Sequence, residues 1–163
     1  MCNVGDNHEL AALLVEALRR RGYTFATAES CTGGAVAAAV TSVAGCSDVM
    51  CGGVVAYHND IKTDVLGVDR AVLCEIGAVS EPVVRQMVCG VSRLTGADCA
   101  VATSGVAGPG GGTVEKPVGT VWIAAKAGGE IVTKMLQLGD NGRAANISMT
   151  VTEVLRMANT LLE

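Results

Sequence analysis

Short strand-like runs alternate with helical stretches along this chain, and that alternation restricts it to a sheet covered by helices on both faces. His8 to Arg20 carries Leu10, Leu13, Leu14, Ala17 and Leu18 at helical spacing, with Gly22 as a cap. Tyr23 to Ala28 reads as a buried strand, Thr32 to Ala44 as an Ala/Val-rich helix closed by Gly45, and Gly52 to Tyr57 as a second strand. Asn59 is expected to cap a short helix through Leu66 that Gly67 ends. Ser80-Glu81-Pro82 starts another, whose stripe is Val83, Val84, Met87, Val88, Val91 and Leu94, before Gly96. Cys99 to Thr103 is the third strand. A glycine-rich loop from Ser104 to Pro117 leads to the strands Thr120–Lys126 and Glu130–Leu138, joined at Gly128-Gly129 as a hairpin. The last helix, Arg143 to Leu162, buries Ile147, Val151, Val154, Leu155, Ala158 and Leu161. The expected class is α/β: a three-layer α/β/α sandwich on a mixed sheet with one antiparallel strand. No repeat or long linker interrupts it, so residues 1–163 read as one domain.

Composition narrows the function. Half of the 163 residues are apolar and only 2% are aromatic, so the core is aliphatic and base stacking on aromatic rings has no basis. The net charge is −4, and the longest basic run, Arg19-Arg20-Arg21, fits a helix C-terminus better than a phosphate backbone. Nucleic acid is therefore not an expected partner. Seven cysteines without a C-x-x-C pair indicate a reduced, cytoplasmic protein, and two histidines outside any ligand frame give no metal site. No apolar run is long enough to span a membrane. Small size with an apolar excess favours a homo-oligomer.

Three segments carry chemistry. Ala28-Glu29-Ser30-Cys31-Thr32-Gly33-Gly34 puts a hydroxyl on a strand-to-helix turn, where amides without helical partners favour a developing negative charge. In Tyr57-His58-Asn59-Asp60-Ile61-Lys62, a helical turn started by Asn59 brings Lys62 back toward the strand end that holds Tyr57. A lysine acts as a base toward serine only when neutral, so its pKa must drop from about 10.4 toward 7, which burial supplies. The third segment, Thr103 to Gly112 followed by Lys116-Pro117-Val118-Gly119, is neither a Walker A loop nor a dinucleotide fingerprint, yet its exposed amides suit a phosphate or sugar. Taken singly, a serine at a helix start is usually a cap and a helical lysine is usually solvated. In such sheets, ligands collect beyond the carboxyl ends of the parallel strands, where Ser30, Tyr57 and Ser104 all lie.

These segments, with Leu66-Gly67-Val68, Gly77-Ala78-Val79-Ser80 and Glu115 to Trp122, resemble the CinA C-terminal domain, or PncC, family over roughly Leu10 to Leu161. The resemblance implies a three-layer α/β/α fold with a five-stranded sheet. It also implies nicotinamide-nucleotide amidohydrolysis, in which nicotinamide mononucleotide and water give nicotinate mononucleotide and ammonia, with no cofactor and no metal. It places the nucleophile on Ser30 and the catalytic lysine and tyrosine on Lys62 and Tyr57. Substrate contacts are expected from Glu29, Cys31, Thr32, Gly33 and Gly34 on the first segment, from Asn59, from Ser104, Gly105, Gly108, Gly110 and Gly111, and from Arg143. Arg143 fits the family's Gly-Asp-Arg-like segment only after a two-residue shift, and Ile147 stands where a second arginine is expected. Many relatives carry an additional N-terminal domain; this chain resembles the stand-alone form.

The expected mechanism is acyl transfer from the carboxamide to Ser30, with amides at the start of the second helix holding the oxyanion. Cys31 is the rival nucleophile, better as a thiolate but without a histidine nearby in sequence to activate it. Two other functions remain as alternatives: a catalytically weak nucleotide-binding protein associated with competence or DNA damage, and a Ser/Lys amidase for a related amide.

Overall fold

The structure, a computed structural model, describes residues 4–163, with side chains from residue 7; Cys2 lies outside the described residues. In chain order the elements are α1 (Val4–Arg21), β1 (Phe25–Glu29), α2 (Ala35–Thr41), a 3-10 turn (Cys46–Asp48) and β2 (Met50–Val55). There follow α3 (Asn59–Asp64), α4 (Arg70–Ile76), α5 (Glu81–Thr95), β3 (Cys99–Gly105), β4 (Thr120–Ala127), β5 (Glu130–Gln137) and α6 (Arg143–Leu161). The strands form one mixed five-stranded sheet in the order β2-β1-β3-β4-β5, as the α/β reading requires. β4 runs against both β3 and β5, so this one reversed strand makes half of the strand pairings antiparallel.

Period-two alternation along the strands sorts the core into two layers. Phe25, Cys99, Val101, Val121 and Ile123 pack against α1, α2 and α6, whereas Ala26, Ala28, Ala100, Ala102 and Ala124 face α5 and the segment from Leu66 to Leu73. Small alanines line that second face of the sheet. Within the helical layer over it, α5 meets the Leu66 segment closely, since a Cβ on Gly90 would stand 2.0 Å from the Leu66 carbonyl oxygen. Leu13 and Leu94, expected in the helix stripes, face solvent instead; Leu14 beside Leu13, and Val91 and Val88 about one and two turns before Leu94, fill the buried side. Arg19 to Arg21 end α1 as the charge argument required, and Arg21 donates to the Leu162 carbonyl at 2.8 Å.

Local boundaries differ where side chains compete for the backbone. The second helix starts at Ala35 rather than Thr32, because Gly33 and Gly34 take φ values of 60° and 101° that no right-handed helix uses. It ends at Thr41, whose hydroxyl turns back onto the Ala37 carbonyl. Asn59 does not cap α3; His58 does, its Nδ1 accepting from the Asp60 amide. The helix α4 was not foreseen, although Asp69 caps it through the Ala71 amide at 2.8 Å and Gly77 ends it.

Candidate active site

The carboxyl ends of β1, β2 and β3 lie side by side, with Glu29 in register with Val55 and with Thr103. Pairing continues one step past the strand: the Ala56 amide donates to the Glu29 carbonyl at 2.7 Å and the Ser30 amide to the Thr103 carbonyl at 2.9 Å. The backbone of Ser30 is thus fixed from both sides by the sheet. Its hydroxyl caps nothing; α2 has no capping bond from its N-cap residue, and Ser30 Oγ instead stands 3.1 Å from Lys62 Nζ.

Lys62 is 1% exposed, although it sits on the short helix α3 next to solvent. The turn begun at His58 carries its side chain inward, where Nζ meets the Ala56 carbonyl at 2.7 Å and the Tyr57 carbonyl at 3.3 Å. A neutral amine has two N–H donors and one lone pair, and this environment offers two carbonyls and one hydroxyl. Burial lowers the Lys62 pKa below the usual lysine range by penalising the ammonium form. As the ammonium, Nζ donates to Ser30 Oγ; in the neutral form its lone pair is free to accept the Ser30 Oγ–H.

Several expected substrate contacts are structural instead. Glu29 is 1% exposed and its carboxylate accepts from the Thr32 hydroxyl and from the amides of Gly34, Val36 and Ala37. It therefore caps α2 from below, and the buried Thr32 hydroxyl, also 2.8 Å from Thr103 Oγ1, belongs to the same network. Cys31 is buried in the apolar layer, and burial pushes its thiol up to about 12. A group held as a thiol at neutral pH lacks the thiolate that nucleophilic attack needs, so the rival reading loses its basis. Ser104 is buried with its hydroxyl donating to the Ala78 carbonyl at 2.8 Å, and Gly105 packs against β4, where a Cβ would stand 2.6 Å from the Val121 Cα. Asn59 is exposed and lines a cavity between α3 and α4 with Thr63 and Cys74.

Tyr57 meets Lys62 through its main-chain carbonyl; its phenol oxygen accepts from Arg143 Nη2 at 2.6 Å. Arg143 Nη1 donates to the Gly108 carbonyl at 2.9 Å. One guanidinium so joins the β2–α3 turn, the glycine-rich loop and the start of α6. Gly108 has φ 91° and sits under Val118, while Gly110 and Gly111 are exposed at the loop tip. Lys116 ties the far side of the loop to the Ile76 carbonyl at 2.6 Å, where a cation also complements the C-terminus of α4. Ile147, at the position of the missing arginine, packs against the apolar layer of α1, α2 and α6.

Sequence reasoning missed Thr103, the two carbonyls on Lys62, and Asn146. Asn146 is fully buried and donates to the carbonyls of Ala107 and Gly139, joining the glycine-rich loop to the approach to α6. Main-chain acceptors leave no trace in residue identity. An asparagine one turn into an otherwise apolar helix face was the only available signal for Asn146.

The CinA C-terminal domain model matches residues 7–162. The chain belongs to the CinA C-terminal domain family. It is 49% identical over 158 residues to a CinA-like protein of Cytophaga hutchinsonii and 45% identical over 162 residues to one of Prochlorococcus marinus, covering 97% and 99% of this chain. The chain spans 38% of the length of each of those curated relatives. Among solved structures, a competence/damage-inducible protein of Agrobacterium tumefaciens superposes with a TM-score of 0.95 at 43% identity, covering 97% of this chain and 96% of that one. A CinA superfamily protein of Klebsiella pneumoniae gives 0.91 at 38% identity, covering 96% and 97%. In this CinA domain, the Glu-Ser-Cys-Thr-Gly-Gly segment is the turn after β1, and the Tyr-x-Asn-x-x-Lys segment runs from the end of β2 into α3.

Proposed function

We propose that this domain is a nicotinamide-nucleotide amidohydrolase, converting nicotinamide mononucleotide and water to nicotinate mononucleotide and ammonia. The observation that carries this reading is the 3.1 Å approach of Ser30 Oγ to a buried Lys62 whose amine already has carbonyl partners for two N–H bonds. Ser30 Oγ attacks the carboxamide carbon while its proton passes to Lys62 Nζ, forming a tetrahedral oxyanion. The C–N bond then breaks, the proton on Nζ goes to the departing nitrogen, and ammonia leaves. Water attacks the resulting ester with Lys62 again taking a proton; the ester C–O bond breaks, that proton passes to Ser30 Oγ, and nicotinate mononucleotide leaves.

The oxyanion requires donors that are not already engaged. Gly33 N–H goes to the Ser30 carbonyl, Ala35 N–H to the Thr32 carbonyl, and the amides of Gly34, Val36 and Ala37 to Glu29. Among the described residues no other residue accepts from the amides of Cys31 and Thr32, the Cys31 amide lying against its own thiol, and to these two we assign the oxyanion role first given to the helix start. The exposed amides at Gly110 and Gly111, beside the Arg143 bridge, suit the nucleotide's phosphate or ribose.

The deciding assay mixes purified protein with nicotinamide mononucleotide and measures ammonia, with the Ser30→Ala protein as control. Ammonia from the parent protein alone supports the reading. Equal release from both, or none from either, refutes it.

A further inference from the structure

Five consecutive amides, Gly33 to Ala37, lead into and begin α2, and every one is occupied. Three of them converge on the single carboxylate of Glu29, which also takes the Thr32 hydroxyl at 2.7 Å. This carboxylate is 1% exposed, and no lysine or arginine is among its partners. Glu29 is also the residue immediately before Ser30. Its own carbonyl is held by the Ala56 amide, so its main chain is anchored in the sheet while its side chain reaches over the turn to the helix.

We propose that Glu29 is a positioning residue for the reaction: an internal anion that occupies α2's amides and thereby holds the Ser30–Thr32 turn so that only the Cys31 and Thr32 amides face the reacting group. Two consequences follow from this arrangement. A substrate anion is denied the helix terminus and is confined to the two amides adjoining the nucleophile, which is where an oxyanion forms when Ser30 attacks. The orientation of those amides depends on a hydrogen-bond chain that runs from Thr103 through the Thr32 hydroxyl to Glu29 and never touches Lys62. Losing it leaves the Ser30–Lys62 contact in place and misaligns the oxyanion donors.

The inference rests on the Ser30 and Lys62 roles proposed above, and its test separates the two. Three variants are compared with the parent: Glu29→Gln, which keeps the shape but sets an NH2 group against at least one amide donor; Thr32→Val, which removes the hydroxyl; and Thr32→Ser, which restores it. With nicotinamide mononucleotide, kcat per folded molecule is expected to fall about tenfold or more in Glu29→Gln and Thr32→Val, with KM within about twofold of the parent. Thr32→Ser regains most of the rate. The pH midpoint of the rate, set by Lys62, stays put in all three. Lowered thermal midpoints with unchanged kcat per folded molecule would mean that the network only stabilises the fold, and would overturn the proposal. If Glu29→Gln does not fold, the Thr32 pair decides.

A second readout needs no deamidase activity. A fluorophosphonate probe is attacked by an activated serine with loss of fluoride, through a state whose phosphoryl oxygen also requires oxyanion donors. Labelling of Ser30, followed by mass spectrometry, should slow about tenfold in Thr32→Val and recover in Thr32→Ser. If the parent protein labels with this pattern yet releases no ammonia, the substrate reading fails and the positioning role stands. Equal labelling rates across the series, or no labelling and no turnover in the parent, sink the positioning role.

Discussion

Replacing Ser30 by Ala deletes one hydroxyl whose only side-chain partner among the described residues is Lys62 Nζ. Ammonia release from nicotinamide mononucleotide should vanish, while the unfolding free energy should change by only about 1 kcal/mol, the net worth of one hydrogen bond, as read from denaturant midpoints. Cys31→Ser should retain turnover, because the thiol is held protonated in the apolar layer. Lys62 gives the pH dependence. Its pKa is lowered by burial and its basic form accepts the Ser30 proton, so kcat should climb as pH rises through that lowered value and level off above it. Lys62→Arg, which cannot release its proton at working pH, should be nearly inactive across the whole range. A flat profile, or a rate that falls over that interval, contradicts a lysine base. Distance alone is not the distinguishing property: Ser92 and Lys126 also stand 3.1 Å apart, but Ser92 donates its proton to the Ala97 carbonyl and Lys126 is only half-buried.

At the level of elements, two positions test how the helical layer over the alanine face is held. Asp69 caps α4, and Asp69→Ala should cost about 1 kcal/mol, measurable as a shift in the denaturant midpoint with no change in its slope. Gly90 is the more severe case, since the Leu66 carbonyl lies 2.0 Å from where a Cβ would be. Backbone must move to admit even one methyl group, so Gly90→Ala should destabilise by roughly 1–3 kcal/mol. Because Leu66 lies two residues beyond the end of α3, that displacement should also reach Lys62 and lower kcat. A stable Gly90→Ala protein with parental activity would show that α5 and the Leu66 segment are less tightly coupled than their geometry indicates.

Across the whole molecule, the candidate site draws on segments far apart in sequence, and Arg143 is the residue that ties its rim together. It reaches the Tyr57 phenol 86 positions away and the Gly108 carbonyl 35 positions away. Arg143→Ala releases both, so KM for nicotinamide mononucleotide should rise about fivefold or more while the Ser30–Lys62 pair, which Arg143 does not touch, stays formed. The parent protein should also prefer the nucleotide to free nicotinamide by a wide margin in kcat/KM, because binding energy from the remote phosphate and ribose is used at the reacting carbon. Equal kcat/KM values for both would remove the glycine-rich loop from substrate recognition.

The strand and helix periods, the glycines that follow α1 and α5 and the family-specific segments were all legible in residue identity, because backbone propensity and hydrophobic pattern are local. They sufficed for the α/β class, the five strands, the family, and the placing of Ser30, Lys62 and Ser104 near neighbouring strand ends. Even α4 was marked by Asp69 and Gly77. What the chain alone left open was where side chains point and which main-chain atoms they meet. Glu29 and Thr32 read as substrate contacts until folding turned them inward onto α2; Cys31 read as a rival until its thiol proved buried; Tyr57 offers Lys62 a carbonyl rather than its phenol. Those outcomes depend on carbonyls and amides that every residue carries alike, so only the tertiary structure, by bringing three strand ends and two turns into one place, decided which of them Lys62 and Glu29 would meet.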